Sequence, residues 1–219
     1  MRVGIISDVH ANRVALETVL EDMPAVDRVL HAGDVVGYNP WPADCVEILR
    51  ERSVPSVMGN HDRKVARRTN FRRNRMAQAG IDLALEALDA DQLSWIDDLP
   101  ETHTCCDGRV RVVHGHPEDP DRYTYPDEFR PGLLGDEDVL VMGHTHVQHA
   151  EVFEEGIVLN PGSVGQPRDN DPRAGYAVVD LADRSVETHR VEYDVDRVVD
   201  AVEEAGLPHQ TGERLTRGE

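Results

Sequence analysis

Five short apolar runs in this 219-residue chain each end abruptly in polar residues of one chemical kind. Val3-Gly4-Ile5-Ile6-Ser7 runs into Asp8-Val9-His10, and Val29-Leu30-His31-Ala32-Gly33 runs into Asp34. Val57-Met58-Gly59 leads to Asn60-His61-Asp62, and Val110-Arg111-Val112-Val113 leads to His114. Val139-Leu140-Val141-Met142-Gly143 leads to His144-Thr145-His146. Such runs read as buried strands. Between the first three lie stretches of helical period: Leu16, Val19, Leu20 and Met23, then Cys45, Ile48 and Leu49 behind Pro42, a helix-starting residue. Strands at 3–7, 26–31 and 54–58 separated by helices predict parallel pairing with right-handed crossovers. In an open sheet of that kind, ligands bind beyond the carboxyl ends of the strands. Two Asp, one Asn and several His are therefore expected on one rim.

The rest of the chain extends the pattern. Residues 63–99 are expected to be mostly helical, with Arg67, Arg68, Arg72, Arg73 and Arg75 ahead of Ile81, Ala84, Leu85 and Leu88. Strands are expected at 110–113, 139–142, 157–159, 176–179 and 186–193, with an irregular excursion over 118–135. Val195, Val198, Val199 and Val202 predict a last helix, capped by Asp194 and ended by Gly206 and Pro208. The polar tail over 209–219 is expected to fray. No linker or repeat divides the sequence, so a single domain over 1–219 is expected.

Charge bounds the partners. There are 42 acidic and 23 basic side chains, a formal charge of −19. This disfavours binding to duplex nucleic acid or to a membrane surface, both of which need basic patches. Lys64 is the one lysine, so 22 of the 23 basic residues are arginine. Such an acid excess predicts a surface of the halophilic type, kept in solution at high salt by hydrated carboxylates. Cys45, Cys105 and Cys106 form no disulfide framework, and no apolar run approaches the roughly 20 residues of a membrane span. Reduced thiols and a cytoplasmic location are expected.

Carboxylate and imidazole groups without thiolate suit manganese, iron or zinc rather than calcium. The groups Asp8, His10, Asp34, Asn60, His114, His144 and His146 outnumber what one ion holds beside a substrate, so two ions are implied. In Asp8-x-His10 and His144-x-His146, residues two apart on extended backbone point the same way.

The motif series Ser7-Asp8-Val9-His10, Gly33-Asp34-Val35-Val36-Gly37, Gly59-Asn60-His61-Asp62, His114-Gly115 and Gly143-His144-Thr145-His146 resembles that of the calcineurin-like metallophosphoesterases. Gly37-Tyr38-Asn39-Pro40 and the stretch Asn160-Pro161-Gly162-Ser163-Val164-Gly165-Gln166-Pro167-Arg168 are similar to the small YfcE-like prokaryotic branch. The resemblance implies an α/β fold, a four-layer α/β/β/α sandwich, with two divalent cations at the strand ends. Manganese is the expected ion, with iron, zinc or nickel as alternatives. Asp8, His10 and His146 would bind the first ion, Asn60, His114 and His144 the second, and Asp34 both. His61, the expected catalytic residue, would lie beside the phosphorus and with Asn60 contact the substrate.

The implied activity is hydrolysis of a small phosphomonoester or phosphodiester by a metal-bridging hydroxide, with protonated His61 donating to the leaving oxygen. The protein-phosphatase branch carries an Asp that orients the catalytic His and a phosphate-gripping Arg where this chain has Gly37 and Tyr38. His61 must therefore find another orienting group, and Asp62 is only its neighbour in sequence. Arg168, Arg13 and the Arg-rich stretch are the candidates for gripping substrate. His31 reads as core, His116 as backbone-bonded, and Gly162-Ser163 as a turn beside the site rather than a nucleophile. The expected partners are a small phosphorylated molecule and, as an open option, further copies of the chain. The rival reading is a non-catalytic binding scaffold with this fold, such as occurs in the retromer complex. A nuclease reading meets the same charge objection as duplex binding.

Overall fold

The computed structural model spans residues 1–219 and describes every residue except Arg72, so that member of the basic stretch lies outside the described residues. The chain opens β1 (Arg2–Ile6), α1 (Arg13–Asp22), β2 (Arg28–His31), α2 (Pro42–Glu51), then α3 (Asn60–Ala66), α4 (Arg75–Ala87) and α5 (Ala90–Asp97). The second half is β3 (Thr102–Cys105), β4 (Val110–Val113), β5 (Val139–Val141), β6 (His149–Val152), β7 (Ile157–Asn160), β8 (Ala174–Asp180) and β9 (Ser185–Val191). Helices α6 (Val195–Glu204) and α7 (His209–Glu213) close it.

Two mixed sheets form, ordered β2-β1-β8-β9 and β3-β4-β5-β7-β6. β1 pairs parallel with β2, and β4, β5 and β7 are mutually parallel. Alternation along the strands divides the core. Val3 and Ile5 of β1 meet Val112, Val141 and Leu159 between the sheets. Ile6, Tyr176 and Val178 face the other way, onto Leu16, Val19, Leu49 and Ile81 of the helices. The outer face of the second sheet, through Leu140, Met142 and Val158, is covered by the 118–135 excursion at Leu133, with Phe129 packed alongside. The expected four-layer order is therefore present, with 3-10 turns at Pro126–Glu128 and Pro131–Leu133 in the last layer.

Three expectations are corrected. Residues 54–58 do not form a strand but a single parallel bridge between His31 and Ser56. Pro55 has no N–H to give; its carbonyl takes the His31 N–H at 2.9 Å, and Met58 turns away to Pro100. Edge strands β3 and β6 are additions, half-exposed and without a clear apolar pattern. The tail does not fray: α7 and a 3-10 turn (Arg214–Thr216) bury Thr211 and Leu215, and Gly218 accepts the Asn170 N–H at 2.9 Å. No helix among the described residues is long and apolar enough to cross a membrane.

Candidate functional site

The five motifs meet on one rim, four of them at strand ends and one at the start of α3. Asp8 and His10 follow β1, Asp34 follows β2, Asn60 and His61 open α3, His114 follows β4, and His144 and His146 follow β5. The expected alternation on extended backbone is not what brings the pairs together. Asp8, His10, Asp34, His144 and His146 all adopt positive φ, at 53°, 46°, 60°, 69° and 60°. Five consecutive-motif residues in the left-handed region represent backbone strain of roughly 1–3 kcal/mol each, concentrated where side chains must turn inward.

Three overlapping groups result, with ligand-type atoms within 4.8 Å of one another: Asp8 with His10 and His146, His10 with Asp34 and His61, and Asp34 with His114 and His144. Asp34 Oδ2 lies 3.6 Å from His10 Nε2 and 3.4 Å from His114 Nε2, so one carboxylate oxygen serves both halves. Asn60 Oδ1 is 3.3 Å from His114 Nε2. All of these side chains but Asn60 are buried; Asn60 is half-buried.

The hydrogen bonds around the rings decide which nitrogens are free. His10, His114 and His146 donate through Nδ1 to the carbonyls of Val36, Ala32 and Gln166. Their Nε2 lone pairs are left facing the centre. His144 instead donates through Nε2 to the Asp121 carbonyl at 3.2 Å, which leaves Nδ1 as its free nitrogen. As a result, His10 Nε2 and His146 Nε2 confront each other at 3.1 Å, and Asp8 Oδ1 is buried without a hydrogen-bond partner. Lone pairs converging in a buried place call for a cation. The donor set therefore fits two divalent ions.

Electrostatics agree. Burial pushes His10 well below its ordinary range, helped by the charge of His61, and burial holds His61 and His144 at about 4. Burial raises Asp8 and Asp34, but the surrounding histidines outweigh it and leave both carboxyls below the usual range. His114 is the exception: burial lowers it, yet Asp34 lifts it to about 9. Burial thus disfavours charge on His10, His61, His144 and His146, while Asp34 favours it on His114.

No carboxylate bonds the His61 ring among the described residues. Its ring lies against Tyr38 (4.7 Å between centroids), Phe71 (4.6 Å) and His10 (4.7 Å), while the main-chain N–H of His61 donates to Asp34 Oδ1 at 2.8 Å. Its buried Nδ1 has no partner. Gly37, at φ +104°, leaves the space that ring needs: a Cβ there would sit 2.3 Å from Nδ1. Asp62 has a different task from orienting His61. Its Oδ2 accepts the N–H groups of Asp34 and Gly59, and its Oδ1 those of Val35 and Val36, fixing the Asp34 loop to the start of α3.

The arginine candidates separate. Arg13 is paired with Asp44 at 2.8 Å, and Arg67, Arg68, Arg73 and Arg75 are exposed on the surface. Arg168 stays at the site. It donates to Gln166 Oε1 (2.8 Å) and Tyr38 Oη (3.3 Å), with its buried Nε unpartnered. Ser163 shapes the turn as expected, its hydroxyl donating to the Asp8 carbonyl and accepting the Gln166 N–H. His31 is fully buried in the core, and His116 accepts the Glu118 N–H.

Comparison with known proteins places this architecture. Residues 1–184 match the calcineurin-like phosphoesterase superfamily domain, and the chain belongs to that superfamily. A crystal structure of a metallophosphoesterase from Sphaerobacter thermophilus superposes with a TM-score of 0.86 at 37% identity, covering 100% of both chains. An uncharacterized protein of Methanocaldococcus jannaschii is 31% identical over 99% of this chain and 98% of its own. The phosphodiesterase YfcE of Escherichia coli K12 is 29% identical, covering 82% of this chain and 88% of YfcE.

Proposed function

We propose that this chain, as one domain over 1–219, is a metal-dependent phosphoesterase hydrolysing a small phosphomonoester or phosphodiester. The observation that carries the reading is the pair of ligand groups sharing Asp34, with imidazole lone pairs turned inward by hydrogen bonds to main-chain carbonyls. Asp8, His10 and His146 would hold one divalent ion and Asn60, His114 and His144 the other, with Asp34 common to both. When bound, a pair of divalent cations supplies positive charge to the phosphate oxygens and an acidified water as nucleophile. Manganese is the ion we assign first.

The chain's own groups do the remaining work. Asn60 contributes a neutral oxygen, adding no negative charge opposite an anionic substrate. Asp62 keeps Asp34 in place through four N–H bonds. His61 is neutral in the free protein, and an anionic phosphoester beside it raises its proton affinity. It then donates to the leaving oxygen, a contribution of roughly 10²–10⁴-fold. The surrounding Tyr38 and Phe71 rings exclude water from that proton. The presence of His61 beside a complete ligand set favours turnover over a scaffold role, since binding alone needs no proton donor.

Chelation followed by manganese addition tests the reading. Hydrolysis of p-nitrophenyl phosphate or its bis-ester should disappear and return; Asp34→Ala should abolish it, and His61→Ala should lower it by roughly 10²–10⁴-fold. Elemental analysis should find about two ions per chain. Metal-restored hydrolysis that survives both substitutions refutes the assignment.

A further inference from the structure

Four large apolar side chains are exposed among the described residues: Met1, Val152, Tyr123 at 44% and Tyr125 at 47%. Both tyrosines stand beside the candidate metal centre. Tyr123 stacks on His144 with centroids 3.9 Å apart and planes 13° from parallel. Tyr125 follows at 6.1 Å and 17° from Tyr123. The backbone explains the presentation: Thr124 is buried between them, and at Tyr125 the chain is extended (φ −82°, ψ 162°), so the two rings project to the same side. The His144–Asp121 hydrogen bond and the Tyr125 N–H to Glu128 tie this segment to the site at one end and to a 3-10 turn at the other.

The groups next to this platform are suited to phosphate. Arg168 has no carboxylate within ion-pairing distance among the described residues, in a chain where acids outnumber bases 42 to 23. Its guanidinium lies over the Tyr38 ring, 5.7 Å from the centroid. A half-buried arginine without an acidic partner is completed by an anion. An aromatic ring left in water beside it is completed by another flat surface, and a tyrosine is well suited to stack a base while its hydroxyl stays wet.

Resting on the phosphoesterase reading above, we infer that the substrate is a nucleotide-type phosphoester, whose planar base stacks on the Tyr123–Tyr125 platform while Arg168 contacts its phosphate. The spacing suits this class. Tyr123 lies against the candidate metal ligand His144, and the exposed Tyr125 ring is the next one out, 6.1 Å from Tyr123. A sugar phosphate without a base would leave that ring uncovered.

Matched substrates test the inference on the manganese-loaded full chain: adenosine 5′-monophosphate against ribose 5-phosphate, and the methyl diester of each. Each pair shares its scissile phosphate and differs only in the base. The base-bearing member should have a kcat/KM higher by about 5- to 100-fold. Tyr125→Ala should erase most of that preference by raising KM for the base-bearing members, and Tyr125→Trp should keep it. Calorimetric titration of the two monoesters reads the same preference without turnover. Equal kcat/KM and equal binding within each pair, or an equal loss on both members in Tyr125→Ala, overturns the inference. No turnover of any of the four, with base-dependent binding intact, overturns the catalytic reading and leaves the base site standing.

Discussion

Gly37→Ala should disable His61 without touching a candidate ligand. Gly37 has φ +104°, where an L side chain introduces backbone strain of about 1–3 kcal/mol. The larger effect is steric. The new Cβ would fall 2.3 Å from His61 Nδ1, 3.0 Å from Cγ and 3.2 Å from Cε1, against 3.4 Å for ordinary contact. The ring must therefore retreat by about 1 Å, and Tyr38, Phe71 and His10 close its other sides. A displacement of about 1 Å at a reacting group costs on the order of 100-fold in rate. We expect kcat on bis(p-nitrophenyl) phosphate to fall by about that factor, with metal content near that of the unsubstituted protein.

A double-mutant cycle isolates the cause. In a His61→Ala background there is no ring to displace, so adding Gly37→Ala should cost little further activity. Two results refute the reasoning: a folded Gly37→Ala protein with undiminished kcat, or an equal additional loss in the His61→Ala background. The same geometry explains why Gly37 cannot be the aspartate of the protein-phosphatase branch. The ring of His61 occupies the volume that side chain would need, so orientation by packing replaces orientation by a carboxylate.

Two other substitutions probe what surrounds the site. Asp62→Asn keeps the shape but turns an NH₂ toward two of the four N–H groups that the carboxylate accepts, at about 1–3 kcal/mol for each unsatisfied donor. Thermal unfolding should show a lower Tm and calorimetry a weaker manganese affinity, and an unchanged Tm would remove the assigned role. His31 is fully buried, both ring nitrogens lack partners, and burial lowers it from 6.5 to about 4. The unfolded chain therefore takes up this proton below pH 6.5 while the folded one refuses it until about pH 4. Stability contributed at neutral pH is lost across that window, by about 3 kcal/mol in all. Urea unfolding of the metal-free protein should show a shallower loss between pH 7 and 5 in His31→Leu, and identical slopes would count against it.

Much of this site was legible before any coordinates, and the reason is local. A buried strand needs an unbroken apolar run, and a ligand at its end needs one residue type directly after it, so strand and ligand sit in the same few letters. The series from Asp8 to His146 could be read that way because four of its five motifs carry their own strand. Residues 54–58 show where the rule stops: Val54, Val57 and Met58 are apolar, yet Pro55 withholds the N–H that a ladder needs and a single bridge remains. Strands β3 and β6 were missed for the opposite reason. They lie at sheet edges, where partner strands rather than apolar side chains make the element.

What the sequence could not show are contacts between residues distant along it. Nothing around Asp62 signals that its carboxylate caps the loop 26–28 positions earlier, and its adjacency to His61 suggested a different task. The tail reads as polar because its apolar content is one leucine, yet Leu215 is fully buried in the cluster with Val198 and Val202. Tyr123 and Tyr125 lie in a stretch without periodicity, and the Asp121–His144 bond and the Tyr123–His144 stack reveal that they border the rim. These three cases share a cause: each depends on contacts outside the residue's own short stretch, for which local side-chain patterning carries no signal. The residue types of the rim are thus written in the motifs, while the loop that borders it at Tyr123 is not. Substrate choice should therefore respond to changes in the 118–135 excursion that leave the metal ligands intact.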